Sequence, residues 1–486
     1  MKFTNRATLF GIGALIIGPW LFPSTLAALV NSWWGLPIFL LCFTAFAVGI
    51  ISWGLLLERR LGGGLVAVAP FGLAACIFFA GIIGHLGGLH LAASLLFPSI
   101  LLGGFILARK YWCSFLAIRS LKQLCNSSWF AVIFTLAAFI RLYAGFLPEG
   151  HGDPLYYHLL GPRLWVEAGK ISVNNDLPSA VLAGAWEYLY VWPQVLWRNG
   201  GIQGLIAAQI FSQWLHLVFG WLGCSFVIYK MARLLKAEES TAKFMALAAL
   251  FASSVQWTGG LAKNDLGIAF FALSSIYLML AWARENQLRC ATLASPAFLG
   301  GLAVGGKVNA LFVMAPFGII FALSIFNGGS AGRIKGLGCA KVFLALASGV
   351  VLGAIPFFLR NYYLTANPFY PLFGAYFPSE VMSQSWLDFV SMLNPNGETD
   401  RLAIALRRLR ELSKENPMMW GWLLLLALPS RRFRVAIKPF WIPIATAALS
   451  FILFALAFVG HIELRHLGAG LVLLSALGAL FFWEAS

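Results

Sequence analysis

From Thr8 to Trp483 the chain alternates apolar runs with short polar breaks. Each run approaches the roughly 20 residues that a helix needs to cross a hydrocarbon core about 30 Å thick. Hydrophobic windows and loop breakers together place crossings near residues 8 to 30, 34 to 57, 65 to 84, 91 to 108, 129 to 147, 203 to 229, 244 to 261, 265 to 283, 341 to 359, 440 to 459 and 468 to 484. The stretch from Ser295 to Phe326 is too long for one span and is broken by Gly305-Gly306-Lys307, so it predicts a tight hairpin of two short helices. Met418 to Pro429 is short, but basic residues follow it and the chain must return there. The pattern predicts an all-α integral membrane bundle of about thirteen to fourteen transmembrane helices. Within the polar breaks, Leu155, Leu159, Pro162 and Val166 recur at helical spacing, which suits an amphipathic helix lying at the interface.

Composition strengthens this picture. The 486 residues are 60% hydrophobic and 11% charged, with a mean hydropathy of +0.82, far from the usual quarter or so charged of a soluble enzyme. A net charge of +16 would suggest nucleic acid in a soluble chain. Here its placement matters more. With Met1 inside, the inside loops hold 21 basic residues against five acidic ones, and the outside face holds 13 of each. The excess is thus an orientation signal, and no nucleic-acid partner is expected. Lys2 and Arg6 before an apolar run resemble a signal peptide, but the run is long enough to span and a second span follows, so a retained anchor is expected. The seven cysteines fall in spans or inside loops, and neither a disulfide framework nor a metal spacing is evident.

Two long segments, residues 148–202 and 360–417, lie outside on this topology, whereas the inside loops are short and basic. The first contains Glu149, His151, Asp153, His158, Arg163, Glu167, Asp176 and Glu187 among aromatic residues. Several ionisable residues also sit at membrane depth or its edge: Arg141, Lys263, Asp265, Lys307, Glu463, Arg465 and His466. A charge at the bilayer centre costs about 2.5 to 3.5 kcal/mol, so such residues line cavities and are functional candidates. The ordinary alternative is snorkelling from span ends to water.

In order along the chain, Gly152-Asp153-Pro154-Leu155-Tyr156-Tyr157-His158-Leu159 follows a span and Lys263-Asn264-Asp265 forms a short outside turn. Gly300-Gly301-Leu302-Ala303-Val304-Gly305-Gly306-Lys307 comes next, then Arg360-Asn361 with Asn367-Pro368. This series resembles the bacterial relatives of the dolichyl-phosphate-mannose protein mannosyltransferases and the aminoarabinose lipid A transferases, within the GT-C glycosyltransferase superfamily. The resemblance runs from about Trp129 to Trp483 and rests on the order of several weak motifs. It divides the chain into an N-terminal four-helix membrane extension (1–128), a catalytic membrane module (129–359) with its first extracytoplasmic loop at 148–202, an extracytoplasmic segment (360–417) and C-terminal transmembrane helices (418–486). It implies a polyprenyl-phosphate-linked sugar donor, a protein, lipid or glycan acceptor, and a bacterial inner membrane location with the active site on the periplasmic or extracellular face. It also implies an acidic residue in the first loop that activates the acceptor, by position Asp153. Many members carry two adjacent acidic residues there; here Pro154 follows, and Glu149 lies four residues earlier.

The chemistry can be argued from the residues as well. Sugar transfer from a lipid phosphate builds negative charge on the departing phosphate while the acceptor loses a proton. A carboxylate serves as general base, typically for about 10²- to 10⁴-fold, and fixed Arg or Lys stabilise the phosphate. Asp153 is the base candidate; Lys263, Lys307, Arg360 and Arg465 are the phosphate candidates. Glu149, His151, Tyr157, His158, Asp265 and His466 are candidates for orienting groups or acceptor contacts. Structural readings stand beside these: Asp153 before Pro154 suits an N-cap, Asp265 could pair with Lys263 or cap its helix, and Arg401 to Arg410 suits the polar face of an outside helix. No metal site is expected, no cofactor is firmly implied, and divalent-cation assistance stays open. A lipid-linked sugar flippase and an O-antigen ligase or polymerase remain as alternatives. No second copy of the Asp153 or Lys307 segment appears, unlike the paired repeats common in transporters.

Overall fold

A computed structural model of the chain describes residues 35–91, 96–116, 128–147, 149–173, 181–182, 184–252, 255, 258–284, 290–327, 339–370, 376–379, 381, 406–407, 410, 414, 422, 435–457 and 464–485. Among these every regular element is helical. Among the described residues, six helices are long and apolar enough to cross a membrane: Leu36–Leu61, Leu65–His85, Gly201–Leu234, Asp265–Arg284, Ala340–Thr365 and Val435–Ala455. Four shorter apolar helices accompany them. The chain is a multi-pass helical membrane protein. The crossing expected at 8 to 30 lies outside the described residues, as does that at 418 to 429 apart from Trp422.

Contacts divide the chain into two compact units. The first comprises residues 1–174, 186–222 and 259–264. Its helices are α1 (Gly35–Leu61), α2 (Leu65–His85), α3 (Phe97–Leu116), α4 (Ser128–Ala144), α5 (Leu160–Ala168), α6 (Glu187–Leu196) and α7 (Gly201–Leu215). Helices α1 and α2 pack antiparallel with backbones almost touching. A Cβ on Gly54 would stand 1.8 Å from the Val68 carbonyl oxygen, and one on Gly72 would stand 1.9 Å from that of Ile50. Only glycine permits such an approach, and in lipid the gain comes from close packing rather than water exclusion. Helix α6 docks on α2 and α3 through Trp192, whose Nε1 donates to the Cys76 carbonyl at 3.3 Å while its ring stacks on Phe97 at 3.8 Å.

The second unit comprises residues 175–185, 223–258 and 265–486. Its helices are α8 (Leu222–Leu234, from Gly223 onward), α9 (Glu239–Phe251), α10 (Asp265–Arg284), α11 (Cys290–Gly306), α12 (Leu311–Asn327), α13 (Cys339–Thr365), α14 (Trp441–Ala457) and α15 (Ala469–Ala485). The tightest contact joins α11 to α13 through paired small residues. Gly301 faces the Val350 backbone and Gly305 that of Ala354, while Gly349 faces Ala294 and Gly353 faces Phe298. Contacts that advance together along both helices make the pair parallel. The chain must therefore reverse between them, and α12 supplies that return. The hairpin expected around Gly305-Gly306-Lys307 is present: α11 stops at Gly306, Lys307 is extended (φ −158°, ψ 114°), and a 3₁₀ turn at Val308–Ala310 leads into α12.

One expected span is interrupted, with Val255, Thr258 and Gly259 helical again beyond the break. The run from 244 to 261 yields α9, which ends at Phe251, and Ala252 turns extended at ψ 126°. Further on, the Ala262 amide donates to Glu149 instead of to the carbonyl four residues back.

The glycine seam predicts a contrast between two substitutions. Gly353→Ala drives a Cβ to 2.2 Å from the Phe298 carbonyl oxygen and should destabilise the protein by about 1–3 kcal/mol, the usual overpacking penalty. Gly318→Ala on α12 meets open space and should be neutral or stabilising by up to about 1 kcal/mol. Thermal unfolding of the detergent-solubilised variants measures both; equal midpoints would refute the seam.

Candidate functional site

In the first unit, the polar segment after α4 begins with a helical turn of unusual pitch. Pro154–His158 is π-helical, with the Leu159 amide donating to the Pro154 carbonyl at 2.8 Å. The extra residue in that turn shifts the phase of the apolar positions. Leu159, Pro162 and Val166 are buried, but Leu155, expected on the same face, is exposed. Asp153 itself has helical dihedrals (φ −54°, ψ −50°) and its side chain does not cap the turn. Its Oδ2 instead accepts from Lys263 Nζ at 3.0 Å. The Lys263 side chain is 1% exposed and that of Asp153 39%, so the ammonium is sealed within the protein while the carboxylate stays reachable. The ion pair offsets the cost of burying the ammonium.

Lys263 is held from its backbone. The Tyr190 hydroxyl on α6 donates to the Lys263 carbonyl at 2.5 Å and accepts from Trp186 Nε1 at 3.0 Å. The adjoining Ala262 amide donates to Glu149 Oε2 at 2.9 Å. Glu149 is buried, and its Oε1 accepts from the Gly150 and His151 amides, both at 3.1 Å, and contacts His151 Nδ1 at 3.1 Å. Gln213 Nε2 on α7 donates to Oε2 at 3.4 Å. The structure thus makes Glu149 the tie between the loop that carries Asp153 and the turn that carries Lys263. His158 and Glu187 are fully buried and bonded to each other, joining the π turn to the first turn of α6. The Tyr157 ring lies 4.0 Å from that of His158, and the His151 side chain is 47% exposed.

In the second unit, Lys307 pairs with Asp265, the first residue of α10. Both line a narrow cleft, with room of only about 10 Å³, together with Asn309 and His466. The side chain of Arg465 lies outside the described residues. Arg360 is buried near the end of α13 and donates from Nη1 to the Val181 carbonyl and to Asn361 Oδ1, both at 3.0 Å. Helix α13 ends where Ala366 takes a left-handed φ of 58°, followed by a turn in which Asn367 Oδ1 accepts from the Phe369 amide at 2.9 Å. Burial pushes the nearby Tyr370 hydroxyl up to about 12. Of the Arg401 to Arg410 run, Arg401 and Arg408 lie outside the described residues.

Sequence reasoning assigned no role to Glu187, Tyr190, Trp186 or Gln213. Glu187 and Tyr190 share the aromatic run Glu187-Tyr188-Leu189-Tyr190-Val191-Trp192, where a lone carboxylate among buried rings was the available signal. Nothing local marks Gln213.

A family model for dolichyl-phosphate-mannose-protein mannosyltransferase matches residues 131–373, half of the chain. The match ends well before Trp483, so the C-terminal helices lie beyond it. No curated protein and no solved structure matches the chain.

The tie formed by Glu149 predicts the effect of removing it. Glu149→Ala leaves the buried Ala262 amide without its acceptor and should cost about 1–3 kcal/mol of stability, read as a lower unfolding midpoint in detergent. An unchanged midpoint would show that the tie is dispensable.

Proposed function

Because the chain belongs to the dolichyl-phosphate-mannose-protein mannosyltransferase family, we propose that it transfers mannose from a polyprenyl-phosphate carrier to an acceptor hydroxyl on the extracytoplasmic face, with Asp153 as general base. Membership carries the coarser statement, a membrane glycosyltransferase dependent on polyprenyl-phosphate-mannose. The observation that supports the finer one is the Asp153 carboxylate: partly exposed, not spent on a helix cap, and held at one oxygen by a buried ammonium at 3.0 Å. The inside excess of basic residues in the loops supports the choice of face.

In this reading the acceptor hydroxyl gives its proton to Asp153 as its oxygen bonds to the anomeric carbon. The bond from that carbon to the phosphate oxygen breaks, and polyprenyl phosphate departs with the electron pair. A single displacement of this kind inverts the anomeric centre. Lys263 orients the base rather than meeting the phosphate, since its ammonium is buried against Asp153. Glu149 and the His158–Glu187 pair act as positioning groups, while His151 and Tyr157 are the acceptor contacts we assign. Lys307, Arg360 and Arg465 are assigned to the departing phosphate, with Asp265 orienting Lys307 and His466 lining the same cleft. Fixed cations aimed at developing charge stabilise the transition state without reorganising.

Asp153→Asn should lower transfer by about 10²- to 10⁴-fold while donor binding persists; equal transfer by both proteins would overturn the assignment of the base. Lys307→Met should abolish donor use with the folded protein intact, as judged by size exclusion and unfolding midpoint, and normal turnover in that variant would remove Lys307 from the phosphate site.

A further inference from the structure

A second polar cleft lies in the first unit, bounded by α5, the end of α6 and the first turn of α7, with a volume of about 310 Å³. It shares no residue with the Asp153 site. Its walls bring together Arg163 and Glu167 on α5, Gln194 on α6, Trp197 and Arg198 after α6, and Ile202 on α7. Gln194 is only 6% exposed, and its Nε2 has no hydrogen-bond partner among the described residues. A buried amide donor left in that state costs free energy unless an acceptor from elsewhere completes it. Two guanidiniums converge on the same space. Arg163 Nε donates to Glu167 Oε1 at 2.7 Å, and Arg198 Nη1 meets His90 Nδ1 at 2.6 Å. Each guanidinium carries five N–H donors, and these contacts use one apiece.

We propose that this cleft binds the phosphodiester head of an anionic membrane lipid. Two guanidiniums and one carboxylate leave a single net positive charge, which complements a monoanion. Arg forks suit phosphate oxygens, and the Gln194 amide supplies a further donor. The α7 wall is apolar: Ile202 is 78% exposed at the start of the candidate span Gly201–Leu234, where a lipid tail would run. Trp197 lines the cleft beside it, and indoles favour the membrane boundary. A soluble anion would gain nothing from that apolar rim; an amphiphile uses both walls. The inference stands independently of the transferase reading.

The test uses the full chain in neutral detergent, with native mass spectrometry and thermal unfolding. Probes are phosphatidylglycerol, zwitterionic phosphatidylcholine and soluble glycerol 3-phosphate. Phosphatidylglycerol should be retained and raise the unfolding midpoint, with phosphatidylcholine at least about tenfold weaker. The double variant Arg163→Gln/Arg198→Gln, at two exposed positions, should lose that preference. Gln194→Met should raise the midpoint of the lipid-free protein, because the unfilled amide is gone, yet reduce the lipid-induced shift. Retention of phosphatidylglycerol by both variants at the wild-type level would overturn the proposal. So would equal binding of the two lipids, or stabilisation by glycerol 3-phosphate as large as by the lipid, which would mark a soluble-anion site.

Discussion

A carboxylate buried in a membrane bundle has to be compensated by hydrogen bonds from its surroundings, and Glu149 draws them from two places far apart in sequence. One oxygen gathers the amides that begin the polar segment; the other takes the Ala262 amide, 113 positions away. That arrangement fixes where Lys263 enters the first unit, and Lys263 in turn fixes one oxygen of Asp153. Tyr190 and Trp186 brace the same turn from α6. Helix α6 is itself anchored by Trp192 against α2 and α3. The N-terminal helices therefore support the loop that bears the candidate base, which gives the extension ahead of the family match a structural part to play.

The second unit solves a different problem by backbone contact. Gly301, Gly305, Gly349 and Gly353 let α11 and α13 lie side by side, and α12 must fold back beside the parallel pair. Lys307 stands at that reversal in extended conformation, with Asp265 beside it. An interrupted helix at membrane depth is tolerated where the freed backbone faces protein or a cavity, and Lys307 and Asn309 line a cleft.

What the sequence revealed depended on how local the signal was. Uninterrupted apolar runs located α2 and α10 within a residue or two, because length and hydropathy decide a span. The break at Gly305-Gly306-Lys307 was legible because two glycines and a charge interrupt a run too long for one crossing. The end of α9 at Phe251 was not, since nothing in the apolar run marks the extended turn at Ala252, and the carboxylate that takes the Ala262 amide lies 113 residues earlier. The π turn at Pro154–His158 was also hidden, and with it the outward turn of Leu155. Lys263, Lys307 and Asp265 stood out as charges in apolar surroundings, and Asp153 by its position in the first outside loop. Their pairing did not: a sequence that offers Lys263 as a phosphate ligand gives no sign that Asp153, 110 residues away, occupies it. Glu187 was visible only as one more charge until the fold set it against His158.

The central claim is that this chain moves a sugar between molecules rather than a lipid between leaflets. Its most direct test is the fate of polyprenyl-phosphate-mannose, labelled in the sugar, when supplied to the purified protein in liposomes with acceptor polypeptides. The account predicts label joined covalently to an acceptor, with one polyprenyl phosphate released per sugar transferred and the anomeric configuration inverted. Intact donor recovered in the opposite leaflet, with no labelled acceptor, would contradict it.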